Sequence, residues 1–480
     1  MAKGSLTRVG LATLGAGVGG ALAWGAASLP ALPALAGVAG TVCLSMSARS
    51  SWLGVVLLFG TLNILLGSFS RPPAWQAGFF GFLFALLAVL GYVKRREGRL
   101  PWHPLRAPLA CWMGVVGFSL VPAFQHGLSL AEWYPEALPL LLPALVFLIP
   151  ARFVDRQSLN KFLVALVVLG LPLLVHFTLE YLQFQRLYGP AAHVTRVDYG
   201  TFYWQAEGFA VWQFFALAAL SAFDRSRVRR VAFTGLAALT FLMIFLWMRR
   251  TGLAALTLGS LFLAAWLCYE GGWWGARASV RLGLVIALVC AGSVWGLGAS
   301  GYVDTDKLLA NYGLGFRRGL GDPSAAWRWK EYPFVVSAFW ESPWVGHGFG
   351  YSIPGIRAMY SKRDLIEIGE PGPYLHNFSS HLLVKTGLLG LAAYVWFLTA
   401  AWRFLVRSAR EAAATLDRGL LVAGLAALVT LVARSPLDDV LFDHLSQFPL
   451  AILITLAVHR GAGSGLLRSA PPAAGATVRG

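Results

Sequence analysis

Charge is scarce in this chain: only 13% of its 480 residues are Asp, Glu, Lys or Arg, about half the share of a soluble domain. Hydrophobic residues make up 57% of it, so a water-soluble globular reading is excluded. No long polar domain and no low-complexity region interrupts the pattern, apart from a short Ala/Pro/Gly tail after Gly461. Cysteine is also sparse. The four cysteines, Cys43, Cys111, Cys268 and Cys290, all fall in apolar stretches and form no CxxC pair, which excludes a disulfide framework or a thiolate metal site. They read as small apolar packing residues. There is no P-loop, no dinucleotide-binding glycine fingerprint, no HExxH and no GxSxG. The chemistry attached to those motifs is not expected here.

What the chain has instead is long hydrophobic runs from end to end. About 20 apolar residues cross the hydrocarbon core as a helix, which satisfies its own backbone hydrogen bonds. Fourteen such stretches are expected at 9–28, 32–48, 52–69, 75–93, 107–124, 136–151, 162–182, 206–223, 231–248, 251–269, 282–299, 382–402, 419–433 and 446–459. The first is read as a retained anchor, and the first two can form a single hairpin, so the fold expected is all-α with about 12–14 transmembrane helices. Of the 39 basic residues, 24 fall on the side expected to be cytoplasmic and 15 on the other. Short inner loops are dense in them: Lys94, Arg95, Arg96 and Arg99; Arg225, Arg227, Arg229 and Arg230; Arg403, Arg407, Arg410 and Arg418. This positive-inside asymmetry places both termini in the cytoplasm and makes the net charge of +17 a topological signal, not a nucleic-acid one. The organisation expected is membrane helices over 1–300, a large outer loop over 301–381, membrane helices over 382–460 and a cytoplasmic tail over 461–480.

Two outer loops are long, 183–205 and 301–381, and long ordered loops usually carry function. In the second, Ser324-Ala-Ala-Trp-Arg-Trp-Lys-Glu-Tyr332 predicts a short helix, followed by a turn at Glu341-Ser-Pro-Trp-Val-Gly-His-Gly-Phe-Gly350. Tyr374-Leu-His-Asn-Phe-Ser-Ser-His381 then runs into a membrane helix. Arg249 and Arg250 lie at the outer boundary between two apolar helices, where a guanidinium needs compensation. Snorkelling to lipid phosphates is one answer, and an anionic ligand is the other. Arg196, Arg328, Arg317 and Arg318 share that side, and guanidinium forks suit phosphate. Of the histidines near the interface, His376 is the first candidate for proton transfer, with His347 and His381 as rivals. Asp304-Thr-Asp306 reads as a solvated helix start, and His176 with Glu180 as a packing pair.

Three pieces together resemble the O-antigen ligase/polymerase superfamily, which includes the bacterial O-oligosaccharyltransferases. Met248-Arg-Arg-Thr-Gly252 is similar to a Ser-Arg-Thr-Gly-like element and places Arg250 at its arginine. Trp327-Arg-Trp-Lys330 leading to Glu341–Gly350 is similar to an arginine followed by a Pro-x-x-Gly-x-Gly turn, with Arg328 at the arginine. Leu375-His-Asn-Phe378 followed by Lys385-Thr-Gly-Leu-Leu-Gly390 resembles a His-Asn signature leading into a Gly-x-x-Gly helix, with His376 at the histidine. The resemblance covers roughly 240 to 400. It departs where Met-Arg stands in place of a serine, which leaves Arg249 competing with Arg250.

The resemblance implies a GT-C-like inner-membrane glycosyltransferase with a periplasmic active site, using an undecaprenyl-diphosphate-linked glycan as donor and no nucleic acid. A ligase transfers that glycan en bloc to lipid A–core oligosaccharide, with inversion and without a metal or other cofactor. The alternatives are an O-antigen polymerase, an O-oligosaccharyltransferase acting on protein, and, from a different class, a transporter of the same lipid. A transporter should show paired broken helices and internal repeats. By the same resemblance His376, Arg250 and Arg328 are catalytic. Arg250, Arg328, Arg249 and Arg196 bind the diphosphate, and Asn377, His347 and His381 support the site.

Overall fold

The computed structural model describes residues 105–141, 197–224, 226–247, 250–299, 323–359, 375, 377–412 and 415–436, with the isolated positions 143, 175 and 178. The expected stretches before residue 105, the pair His176/Glu180, and Cys43, Asp304, Asp306, Arg317 and Arg318 lie outside the described residues.

Every described element is helical. They are α1 (Arg106–Phe118), α2 (Leu120–Gln125), α3 (Leu130–Leu141), α4 (Val197–Phe223), α5 (Arg227–Trp247), α6 (Arg250–Ala299), α7 (Pro323–Glu341), α8 (Pro354–Met359), α9 (Phe378–Glu411) and α10 (Thr415–Arg434). Five stretches among the described residues are long and apolar enough to cross a membrane: 106–125, 227–246, 252–270, 279–296 and 378–411. They coincide with five of the stretches read from the sequence. The protein is thus an all-helical, multi-span membrane protein.

Two of those stretches are not separated as expected. The residues between 251–269 and 282–299 form no reversal, because α6 is one helix of 50 residues. At 1.5 Å per residue it is about 75 Å long, against a hydrocarbon core of about 30 Å. Nothing in 270–281 breaks it: the segment has no proline, and its glycines take helical geometry. No residue of the stretch 279–296 is fully buried.

α4, α5, α6 and α10 pack as one bundle, and α9 packs against both α10 and α1. One close approach is at Gly259 of α6, where an added Cβ would lie 2.0 Å from Thr430 Oγ1 and 2.7 Å from the carbonyl oxygen of Ala426. Small residues permit such approaches where lipid offers no hydrophobic drive between helices. Cys111 and Cys268 are exposed on the helix surfaces and Cys290 is partly so, all with free thiols. The first two therefore do not fill the interior, as had been expected of them.

α9 is broken. At Gly387 the backbone takes φ 64°, ψ −166°, far from helical values. Gly387 is the one residue with non-helical backbone inside a helix among the described residues.

Candidate active site

The break in α9 and the turn after α7 complete one another. α7 is longer than expected, 19 residues with Pro333 inside, and it ends at Glu341 where the turn begins. In an unbroken α9 the carbonyls of Val384 and Lys385 would accept from the amides of Leu388 and Leu389. Instead the amides of His347 and Gly348 donate to Val384 and Lys385, each at 2.9 Å. The amides of Leu388 and Leu389 donate to the carbonyls of Pro343 and Trp344 at 2.8 and 3.2 Å. Four backbone groups freed by the break are thereby satisfied by a foreign segment, as a break inside a membrane-length helix requires.

Glycine makes the insertion possible. Gly346, Gly348 and Gly350 all have positive φ, between 67° and 87°. A Cβ at Gly346 would lie 2.4 Å from the carbonyl carbon of Lys385, and one at Gly348 the same distance from the amide nitrogen of Ala123. The turn is thus wedged between α9 on one side and the α2–α3 region on the other. α3 is started by Ser129, whose amide donates to the Glu132 carboxylate at 2.7 Å, one limb of a capping box, and whose hydroxyl donates to the same carboxylate at 2.8 Å. Those bonds hold the Glu132 carboxyl below the usual carboxylate range.

Under the turn lies a fully buried cluster of ionisable groups. Glu136 of α3 accepts from the Gly350 amide at 2.9 Å and pairs with Lys385 Nζ at 3.0 Å. It also accepts from His381 Nε2 at 3.3 Å. Lys385 donates in addition to the carbonyl of Tyr351. The His381 ring is fixed as well: the Leu375 amide donates to Nδ1 at 3.3 Å, so the ring hydrogen sits on Nε2 and points at Glu136. A buried carboxylate and ammonium are tolerated only when paired and hydrogen-bonded, and here they are both.

His347 is equally committed. Its Nε2 lies 2.7 Å from the carbonyl of Ala338, which can only accept, so the hydrogen is on Nε2. Its Nδ1 then accepts from His126 Nε2 at 3.0 Å. The ring stacks on Tyr351 with centroids 4.2 Å apart and 13° between planes. Burial and neighbouring His347 push the His126 imidazole below its ordinary value, against a smaller upward pull from Glu341.

Asn377 caps α9. Its side-chain oxygen accepts from the Ser380 amide at 3.0 Å, and its Nδ2 donates to the carbonyl of Pro436 at 2.8 Å. The Phe378 amide donates to Ser435 beside it at 3.1 Å.

Of the residues singled out from sequence, Asn377 and His381 lie at the start of α9 and His347 beside its break, and all three are engaged by protein groups. Arg250 is the first residue of α6 and Arg328 lies within α7, with their side chains outside the described residues. His376, Arg249 and Arg196 lie outside the described residues altogether. Sequence reasoning did not single out Glu136 as a site residue and noted Lys385 only as part of a motif. The signal available was cost: an acid and a base, each in a stretch expected to cross the membrane, must find a partner.

Residues 235–395 match the family model described as O-antigen ligase. No curated protein matches the chain.

Proposed function

We propose that this membrane protein, whose residues 235–395 match the O-antigen ligase family model, transfers an undecaprenyl-diphosphate-linked glycan en bloc to lipid A–core oligosaccharide. The observation that carries the reading is the family match itself, whose span contains Arg250, Arg328 and His376 in the order the motifs require. The reaction is a single displacement. The acceptor hydroxyl oxygen bonds to the anomeric carbon with inversion, and the bond to the diphosphate oxygen breaks with its electron pair. The acceptor proton passes to His376. Arg250 and Arg328, with Arg249 and Arg196 nearby in the reading, neutralise charge on the departing diphosphate, so no metal is required. His347 and His381 are poor rivals to His376 for proton transfer, because both of their ring nitrogens are already bonded within the protein. On this reading the site lies on the periplasmic side of an inner-membrane GT-C-like fold with both termini cytoplasmic. The basic asymmetry behind that placement counts 251–269 and 282–299 as two crossings, where the structure has the one helix α6.

The test uses purified full-length protein, a synthetic polyprenyl-diphosphate glycan, lipid A–core acceptor and excess chelator. Glycosylated core is expected. Extension of the lipid-linked glycan with the core untouched would assign the chain to the polymerases. Loss of transfer restored by one divalent ion would overturn the metal-free chemistry. His376→Ala is expected to lower turnover by roughly 10²–10⁴ with donor binding intact. Arg250→Ala and Arg328→Ala are expected to weaken donor binding too, with only partial rescue by Lys.

A further inference from the structure

We propose that Glu136 and His381 are positioning residues for the segment that carries His376. The inference rests on the role given to His376 above and adds how that histidine is held.

The covalent neighbours of His376 are pinned on both sides. On one side, the Leu375 amide donates to His381 Nδ1. On the other, Asn377 donates through Nδ2 to Pro436, and the next amide, Phe378, donates to Ser435. The first of these anchors is only as rigid as the His381 ring, which has no exposed surface. That ring is fixed by Glu136, which accepts its Nε2 hydrogen. Glu136 is in turn held by Lys385 and by the Gly350 amide. A line of direct contacts therefore runs from the glycine turn through Glu136 and His381 to the residue before His376.

The arrangement has the logic of an orienting carboxylate behind a histidine, with one difference. The oriented ring is not the reacting one; it sets a backbone amide next to the reacting one. Glu136 is 1% exposed and so is closed to substrate, with Oε2 taking Gly350, Lys385 and His381, and Oε1 taking Lys385 at 3.2 Å. Its influence on chemistry must pass through its neighbours. A displaced functional group loses rate more than affinity when its placement, and not its presence, is disturbed.

The pair His381→Asn and His381→Gln separates the two bonds of the ring. The Asn oxygen stands in for Nδ1 and keeps the Leu375 anchor while giving up Glu136. The Gln amide stands in for Nε2 and keeps Glu136 while giving up Leu375. Both, with Glu136→Gln, are measured in purified full-length protein as single-turnover transfer rate and donor affinity, alone and on a His376→Ala background. His381→Gln is expected to lose about 10- to 100-fold in rate with donor affinity unchanged, the range for losing a partner that orients a functional histidine. His381→Asn is expected to lose less. On the His376→Ala background neither change should lower the rate further, because their effect runs through that residue.

Equal losses in Asn and Gln that follow thermal stability, with the rate per folded molecule unchanged, would reduce the pair to a structural role. Losses that add to that of His376→Ala would place its action elsewhere. If His376→Ala itself transfers at the wild-type rate, the role of His376 fails, which is a separate and recognisable result, and the positioning role falls with it. Should His381→Gln not fold, Glu136→Gln carries the same comparison, and a rate loss that persists on the His376→Ala background overturns the proposal.

Discussion

Replacing Gly387 by Ala attacks the joint on which the site is built. The position has φ 64° and ψ −166°, a region that is essentially closed to a residue with a Cβ and costs about 1–3 kcal/mol to occupy. The Cβ would also stand 2.3 Å from both the carbonyl carbon and oxygen of Trp344, and 2.6 Å from the Val345 nitrogen. These are backbone atoms and cannot rotate aside. The turn must retreat, which breaks up to four of the bonds that close the gap in α9, each worth about 0.5–1.5 kcal/mol. Strain and lost bonds together come to about 3–9 kcal/mol, against about 5–15 kcal/mol for the whole stability of an ordinary domain. Gly387→Ala should therefore give little folded protein, and what folds should unfold at a markedly lower temperature in detergent. Gly283→Ala is the sign control. It lies inside α6 with nothing within 4 Å of the new Cβ, and an alanine there is expected to stabilise the helix by about 0.5–1 kcal/mol. A Gly387→Ala protein as stable as Gly283→Ala would refute the account of the broken helix.

Lys385→Met leaves Glu136 charged and buried without its ammonium, a change expected to cost about 3–5 kcal/mol, while Lys385→Met combined with Glu136→Gln should cost less than the single change. A double-mutant cycle in thermal stability checks this, and simple additivity would contradict the pairing. Asn377→Ala should destabilise by about 1 kcal/mol through the lost cap, whereas Asn377→Asp keeps the cap and loses only the bond to Pro436, so Asp should be the milder change in a melting assay. The His126 imidazole titrates below its ordinary value of 6.5 in the folded protein. The unfolded chain thus takes up this proton first as pH falls. The associated stability is complete above about pH 6.5 and is lost as pH falls from there through the folded value. Thermal stability measured between pH 7.5 and 5 should show that decline, and His126→Gln should flatten it.

Five of the apolar runs and the helical, multi-span character of the described chain were legible from composition and spacing alone, because a backbone in lipid has few ways to satisfy itself. The turn at Glu341–Gly350 was equally legible, since Pro and three alternate glycines write their backbone needs into the residues themselves. α6 was not. Local polarity around 270–281 predicts a loop, but polarity does not break a helix when no residue in it removes a donor or clashes. Nor was the meaning of Gly387 apparent, because a glycine in an apolar run serves equally as a close-packing site or as a break. Tertiary structure alone decided that Glu136, His381 and Lys385 meet, across 245 and 249 residues of chain. A sequence can show that two buried charges each need a partner. Which partner each finds depends on how the intervening helices bring α3 against α9, and on a turn that supplies the last hydrogen bond from Gly350.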